Sequence, residues 1–232
     1  ASVDSSARLS AKTMLYKSLD GMISGATIDH LGGGFHRYSV DRRWQIPHFE
    51  KMLYDNGQLI NLYSNTYKVT KNPEYKRIVE ETVAFAEREL LDDAGAYYSS
   101  LDADSEGEEG KFYVWSQTEV DSLITDPNHA KIFSEYYTIK SGGNWENTNI
   151  LYVTDDAEKI LYKNKINHAQ LDEILQRYHP ILMAHRDTRV RPGTDDKVLT
   201  SWNGLMIDGL VEAHKAFGDQ SYLDKAKRAM KF

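Results

Sequence analysis

The 232 residues include no cysteine. Disulfides, thiolate catalysis and cysteine-bound zinc are therefore excluded within the chain. Nor is there an apolar run near the roughly 20 residues that a membrane-spanning helix needs. Positive charge is in deficit, with 28 Lys and Arg against 35 Asp and Glu and a formal net charge of -7. The chain as a whole thus has no basic footprint for nucleic acid. The one basic stretch, Arg186, Arg189 and Arg191, is interrupted by Asp187 and followed by Asp195 and Asp196. Its alternating sign reads as a solvated face. Phosphate loops, the GxGxxG fingerprint, the GxSxG elbow and HExxH-type histidine pairs are all missing, so no cofactor and no metal are expected. The first ten residues, ASVDSSARLS, carry neither a basic start nor an apolar core. Without a leader or a membrane span, a cytoplasmic protein is expected. There is no initiator methionine and the last residues lie in a helical pattern, so a piece of a longer protein is expected.

An apolar share of 41% and a charged share of 27% fit a globular chain long enough for one large domain or two small ones. Its periodicity is mostly helical. Met14, Leu15, Leu19, Met22 and Ile23 give residues 11–28 one buried face, weakened late by Gly21 and Gly25. Pro47 suits the first turn of a second helix, whose apolar stripe runs to about Val69. Asn72-Pro73 marks the start of a third, to Leu90. The period then changes. Residues 97–101 and 111–115 are aromatic-rich and predict two strands of one hairpin around an acidic loop. Ser116 and Glu119 have the spacing of a capping box. Further helices are expected over 129–137, 155–162, 169–185 with a bend near Pro180, 198–217 ended by Gly218, and 221–232. A strand is expected over 149–153. Successive long helices with one small β-hairpin insertion suggest stacked helical hairpins, as in an α/α toroid or a solenoid.

Chemistry concentrates in DHLGGGFHRYSVDRRWQIPHFEKMLYDN, residues 29–56, with three histidines, eight charged residues and five other aromatics. Gly32-Gly33-Gly34 allows positive φ or a close backbone approach, and by itself is a tight turn. Around it stand His36, Arg37, Asp41, Trp44, His48, Glu50 and Tyr54. Histidine can move protons near neutral pH, and Arg37 can hold an anionic oxygen. If Pro47 opens a helix, His48, Lys51 and Asp55 share a face, either as part of a functional surface or with Lys51 and Asp55 as an ordinary ion pair and His48 capping or packing. A second segment is the acidic loop 102–110. Asp102 and Asp104 resemble the start of a calcium loop, but Tyr113 stands where an EF-hand needs a bidentate Glu. A solvated hairpin tip, or a carboxylate donor to a nearby pocket, is the better reading. A third segment is TDDKVLTSWNG, 194–204, where Asp195 or Asp196 would cap a helix. Trp202 and Asn203 follow inside that helix. With Trp44, Trp115, Tyr38 and Tyr113, Trp202 could line a pocket for a sugar, rings covering its apolar face while Asp196 and Asn203 take hydroxyls.

The first segment closely resembles the spermatogenesis-associated protein 20 family. LDADSEGEEGKFYVW and RPGTDDKVLTSWNGLM resemble further segments of that family, in the same order. The resemblance implies a thioredoxin-like domain upstream. It also implies a large α/α toroid similar to N-acylglucosamine 2-epimerases and six-hairpin glycosidases, of which residues 1–232 would be a part cut at both ends. The expected function is that of a carbohydrate-active enzyme, a sugar epimerase or isomerase. His36 or His48 would be the acid/base, Arg37 an electrostatic anchor, and Asp102 or Asp104 a carboxylate on the substrate. The alternatives are a non-catalytic scaffold partnered with the thioredoxin-like domain, and a glycoside hydrolase with paired carboxylates. The enzyme readings require His36, His48, Asp102 and Asp196 to converge on one cavity, and separate surfaces for them would count against those readings.

Overall fold

The computed structural model describes residues 5–232, with side chains from Leu9 onward. Residues 1–4, the start of the stretch read as lacking a leader, lie outside the described residues. The chain is mainly helical, with short antiparallel strand pairs. Its helices are α1 (Ser5–Ser24), α2 (Leu53–Thr70), α3 (Pro73–Glu89), α4 (Gln117–Leu123), α5 (Pro127–Tyr136), α6 (Ala157–Asn164), α7 (His168–Arg186), α8 (Thr200–Phe217) and α9 (Gln220–Met230). The strands are β1 (Tyr38–Ser39), β2 (Pro47–His48), β3 (Lys51–Met52), β4 (Ser100–Leu101), β5 (Asp104–Ser105), β6 (Glu108–Glu109) and β7 (Thr194–Asp195).

Two helical hairpins form the larger core. α3 returns beside α2 after Asn72, whose side chain accepts from the Glu74 N–H with proline in the first turn. α9 returns beside α8 after Gly218, the left-handed C-cap at φ 74°. The hairpins meet through α2 and α8. Gly57 lies against Met206, Asn61 reaches Asp208 at 2.6 Å, Lys68 reaches Glu212, and Tyr67 meets Phe217. Residue numbers rise together along the contact, so α2 and α8 are parallel. A parallel inner pair with antiparallel outer returns is the repeat from which α/α toroids are built. The contact is very close. A Cβ on Gly57 would lie 2.8 Å from the Met206 nitrogen, and one on Gly209 would lie 2.4 Å from the Gly57 carbonyl oxygen. Leu53, Ile60, Tyr63, Ile78, Phe85, Met206 and Leu210 fill this core. Each such side chain contributes roughly 1.5–3 kcal/mol by leaving water. A second core, around Trp115, Phe133, Tyr137 and Leu182, holds α4 to α7 together.

Several local expectations are overturned. Pro47 does not open a helix. Pro47–His48 pairs with Tyr38–Ser39, Lys51–Met52 pairs with β4, and α2 begins only at Leu53. Proline suits an edge strand as well as a first helical turn, and the longer-range pairing decides. The expected hairpin between 97–101 and 111–115 is also absent. β4 instead pairs with β3 on one side and β7 on the other. The acidic loop folds on itself as β5–β6, with Glu106 and Gly107 both at positive φ, the signature of a type I′ turn. Residues 149–153 form no strand, only a bridge between Asn149 and Trp115. α8 is not capped by Asp195 or Asp196. Its N-cap is Leu199, without a side-chain bond, and Asp195 binds Lys197. On α1, Met14 and Leu15 are exposed rather than buried.

The β3–β4–β7 sheet joins the chain at or beside the three singled-out segments, but the expected convergence fails: of His36, His48, Asp102 and Asp196 only His36 lines the main cleft, and Asp102 and Asp196 are exposed. Lys51 stands opposite Leu101, and Leu101 opposite Thr194. The sheet lies where α2 and α8 begin, at the N-terminal end of the inner pair.

Candidate functional site

A cleft of about 550 Å³ opens between the end of α1, the β1–β2 hairpin and the first turns of α2. Its lining includes His36, Arg37, Tyr38, Asp41, Trp44 and Asp55. Five of these come from the 29–56 segment's loop, and Asp55 from the helix that ends it.

The loop is built to hold its shape. Asp41 accepts hydrogen bonds from the backbone N–H groups of Arg43, Gln45 and Ile46 and from the Ser39 hydroxyl. Burial opposes its charge, but these donors outweigh that and hold its carboxyl below the usual range. Asp41 therefore shapes the wall. Trp44 adopts a left-handed conformation at φ 61°, and its carbonyl accepts from the Ala26 N–H at 2.6 Å. Its ring lies over Gly21, where a Cβ would come within 3.1 Å of the indole nitrogen.

His36 is buried, edge-on to Phe49 and Tyr113, with Nδ1 2.9 Å from the Phe49 carbonyl oxygen. A carbonyl only accepts, so Nδ1 carries the proton. Burial, reinforced by the nearby Lys51 charge, pulls the ring down to about 3. It is therefore neutral at ordinary pH, an acceptor through Nε2 and not a cationic acid. Asp55 is the opposite case. Burial raises its carboxyl to about 6, against the pull of Arg37. Its Oδ2 is buried and has no hydrogen-bond partner among the described residues.

Arg37 donates to Glu50 at 2.8 Å. The same Glu50 oxygen lies 3.1 Å from His48 Nε2, and His48 Nδ1 lies 2.7 Å from Glu109. Tyr38 stacks on His48. A polar chain thus runs from the cleft through Arg37, Glu50 and His48 to the β5–β6 hairpin. The acidic loop reaches this chain, but through Glu109. Asp102 and Asp104 are exposed, and Asp102 accepts from the backbone of Ala103, the residue after it.

Other sequence candidates stand elsewhere. Trp115 is fully buried in the second core under the Arg189 guanidinium, 4.1 Å away, and lines no part of the cleft. Asn203 is buried and holds the Tyr97 backbone by both amide groups. Trp202 packs edge-on against Tyr54 at 4.7 Å. Asp196 is exposed beside β7. Among the described residues no group of three or more potential ligands is placed to hold a metal.

Sequence reasoning missed two features. One is Asp55 as a cleft carboxyl, because it was assigned to an ion pair with Lys51. The other is a buried charge cluster. Lys51 Nζ lies 2.8 Å from Asp29, and Arg186 Nη1 lies 2.8 Å from the other Asp29 oxygen. The basic stretch is therefore only in part a solvated face: Arg186 is 2% exposed and Arg189 binds Glu119, whereas Arg191, bound to Glu89, is exposed. The glycines serve this cluster. A Cβ on Gly32 would collide with Arg186, and Gly33 at φ 69° turns its carbonyl to Lys51. Asp29 and Arg186 are 157 residues apart, and nothing local marks either as a partner of the other.

Fold and site define a helical-hairpin protein with a polar cleft beside the start of its inner helix pair. It is a homologue of spermatogenesis-associated protein 20. The human protein of that name is 30% identical over 246 residues, covering 96% of this chain and 31% of its own length. An uncharacterised Caenorhabditis elegans protein is 35% identical over 94% of this chain and 33% of its own. The chain thus spans about a third of the curated relatives it matches. No family model matches. Solved structures with a similar course include a D-mannose isomerase at TM-score 0.35 and 16% identity, covering 95% of this chain and 50% of that one. A cellobiose 2-epimerase from Spirochaeta thermophila gives 0.33 and 11%, covering 98% and 55%. No described helix is long and apolar enough to cross a membrane.

Proposed function

We propose that this chain supplies part of an α/α toroid and one wall of a sugar-binding pocket, in which a proton is moved at a carbon next to a carbonyl, as in epimerisation or isomerisation. The observation that carries this reading is Asp55. It is a carboxyl raised to about 6 in a cleft that also holds a cation at Arg37 and a neutral acceptor at His36. A base with a pKa near working pH combines adequate ionisation with adequate basicity. Asp55 would take the proton from the carbon beside the carbonyl of an open-chain sugar. Arg37 would stabilise the negative charge that builds on the carbonyl oxygen. His36 Nε2 would orient a hydroxyl, and Trp44 and Tyr38 would cover the apolar C–H side of the opened sugar. His48, held between Glu50 and Glu109, would set the position of Glu50 and through it Arg37.

Paired-carboxylate hydrolysis is less well supported. It needs two available carboxyls across the scissile bond. In this cleft Asp41 is occupied by four donors, which leaves Asp55 alone. A scaffold role beside an upstream thioredoxin-like domain draws support from a different observation, the exposed Leu9, Met14 and Leu15 on α1. The test is solvent deuterium exchange into a panel of aldoses and ketoses, followed by NMR with the full-length protein. Exchange next to the carbonyl that is lost in Asp55→Asn supports the enzyme reading. Absence of exchange with every sugar would remove it.

A further inference from the structure

A second, smaller cavity lies behind β3, between α3, the end of α7 and the 190–194 loop. Its volume is about 70 Å³. That is room for roughly two waters, or for one tetrahedral oxyanion of like size. Lys51 and Arg186 form its buried floor with Asp29 between them, and Arg88, Arg191 and Thr194 stand at its more exposed mouth beside Glu89. Four cations and two carboxylates face the space, a local excess of two positive charges.

The hydrogen-bond inventory points the same way. The acceptors are taken. Asp29 Oδ1 receives Arg186 and the Leu31 and Gly32 N–H groups, and Oδ2 receives Lys51. Glu89 receives Arg88 on one oxygen and Arg191 on the other. Asp187, outside the cavity, takes one further bond from Arg191. Donors are left over. Arg186 Nε is buried without any partner, and its Nη2 meets only the Met183 sulfur, a weak acceptor. Lys51 spends two protons on Asp29 and the Gly33 carbonyl, which leaves a third. Arg88, whose Nη2 donates to the Gly32 carbonyl, and Thr194 are exposed at the mouth, where their other donors face solvent. An unsatisfied buried donor beside excess positive charge costs stability unless something negative completes it. Burial already pulls Lys51 down to about 8, with Asp29 opposing and Arg186 adding to the pull.

We propose that this cavity binds a phosphate-sized oxyanion, either as free inorganic phosphate or as the phosphate group of a phosphomonoester. The two arginines at the mouth draw the anion in, and Lys51 and Arg186 Nε bond it at the floor. The site does not depend on the chemistry of the cleft.

The test is titration calorimetry of the full-length protein with inorganic phosphate, with sodium chloride at equal ionic strength as the control. Glucose 6-phosphate is the competing phosphomonoester. Saturable phosphate binding that chloride does not reproduce is expected. Arg88→Gln and Arg191→Gln should each weaken it about tenfold, the size of one lost charge-assisted hydrogen bond. Thr194→Val keeps every ion pair and should weaken it less, which guards against misfolding in the arginine variants. Competition by glucose 6-phosphate assigns the phosphomonoester source, and phosphate binding without competition assigns the free ion. No saturable binding, binding matched by chloride, or affinity unchanged in all three variants overturns the proposal.

Discussion

Replacing Asp55 by asparagine should make the protein more stable at neutral pH while removing the activity proposed for the cleft. The carboxyl moves from an ordinary value of 3.8 to about 6 on folding. Between those pH values the folded chain holds a proton that the unfolded chain releases. Raising the pH through that window therefore favours unfolding. The full difference corresponds to about 3 kcal/mol. Asp55 lines an open cleft, and solvent screening cuts this to roughly 1–2 kcal/mol. Asparagine keeps the shape and does not ionise. Parallel denaturant unfolding of wild type and variant should show the variant's advantage growing by that amount from pH 4 to pH 7. Exchange activity should fall by roughly two to four orders of magnitude, the range for a lost general base. A stability difference that stays flat across this pH range would refute the reasoning, because the charge on Asp55 would then carry no folding penalty.

The buried histidine acts in the opposite sense. His36 falls from an ordinary 6.5 to about 3 on folding, so the unfolded chain binds the extra proton. The stability it contributes is complete above pH 6.5 and is lost as pH falls toward 3, roughly 3 kcal/mol by pH 4. His36→Phe should flatten that acid limb in a series of melts. Asp29→Asn leaves Lys51 and Arg186 without their shared counter-charge and should destabilise by about 3–5 kcal/mol, measured by chemical denaturation. Substituting Lys51, Asp29 and Arg186 together by apolar residues should recover much of that loss. Gly209→Ala forces a methyl into the Gly57 carbonyl and should cost about 1–3 kcal/mol, the range for overpacking, seen as a lowered melting temperature.

The helices were legible wherever their own residues carry the signal. Asn72-Pro73 fixes the start of α3, Ser116 and Glu119 form the capping box of α4, and Gly218 stops α8. The strands were not. Two-residue strands are too short to show a period, and their pairing is decided by partners far along the chain. Lys51 illustrates the consequence. In a helix from Pro47 it would point to Asp55, whereas in β3 it turns inward to Asp29. Met14 and Leu15 show the converse, since apolar spacing marks a face but not what lies against it. Of the cleft, His36, Arg37, Asp41 and Trp44 could be named because they share one loop. Asp55 needed the burial of its carboxyl to be seen, and Glu109 needed the type I′ turn that brings it back to His48.

The glycine contact between α2 and α8 has a mechanical consequence. At Gly57 and Gly209 the helices touch through backbone, so at that point no side chain can change rotamer to accommodate sliding. A shift of one helix along the other would drive the Cβ of a neighbouring residue into the opposing main chain. That contact resists sliding of one hairpin along the other, and with it displacement of the floor of the cleft. Room for an entering ligand has to come from the opposite wall, the β1–β2 hairpin, which is held by a pair of two-residue strands and the Arg37–Glu50–His48–Glu109 chain.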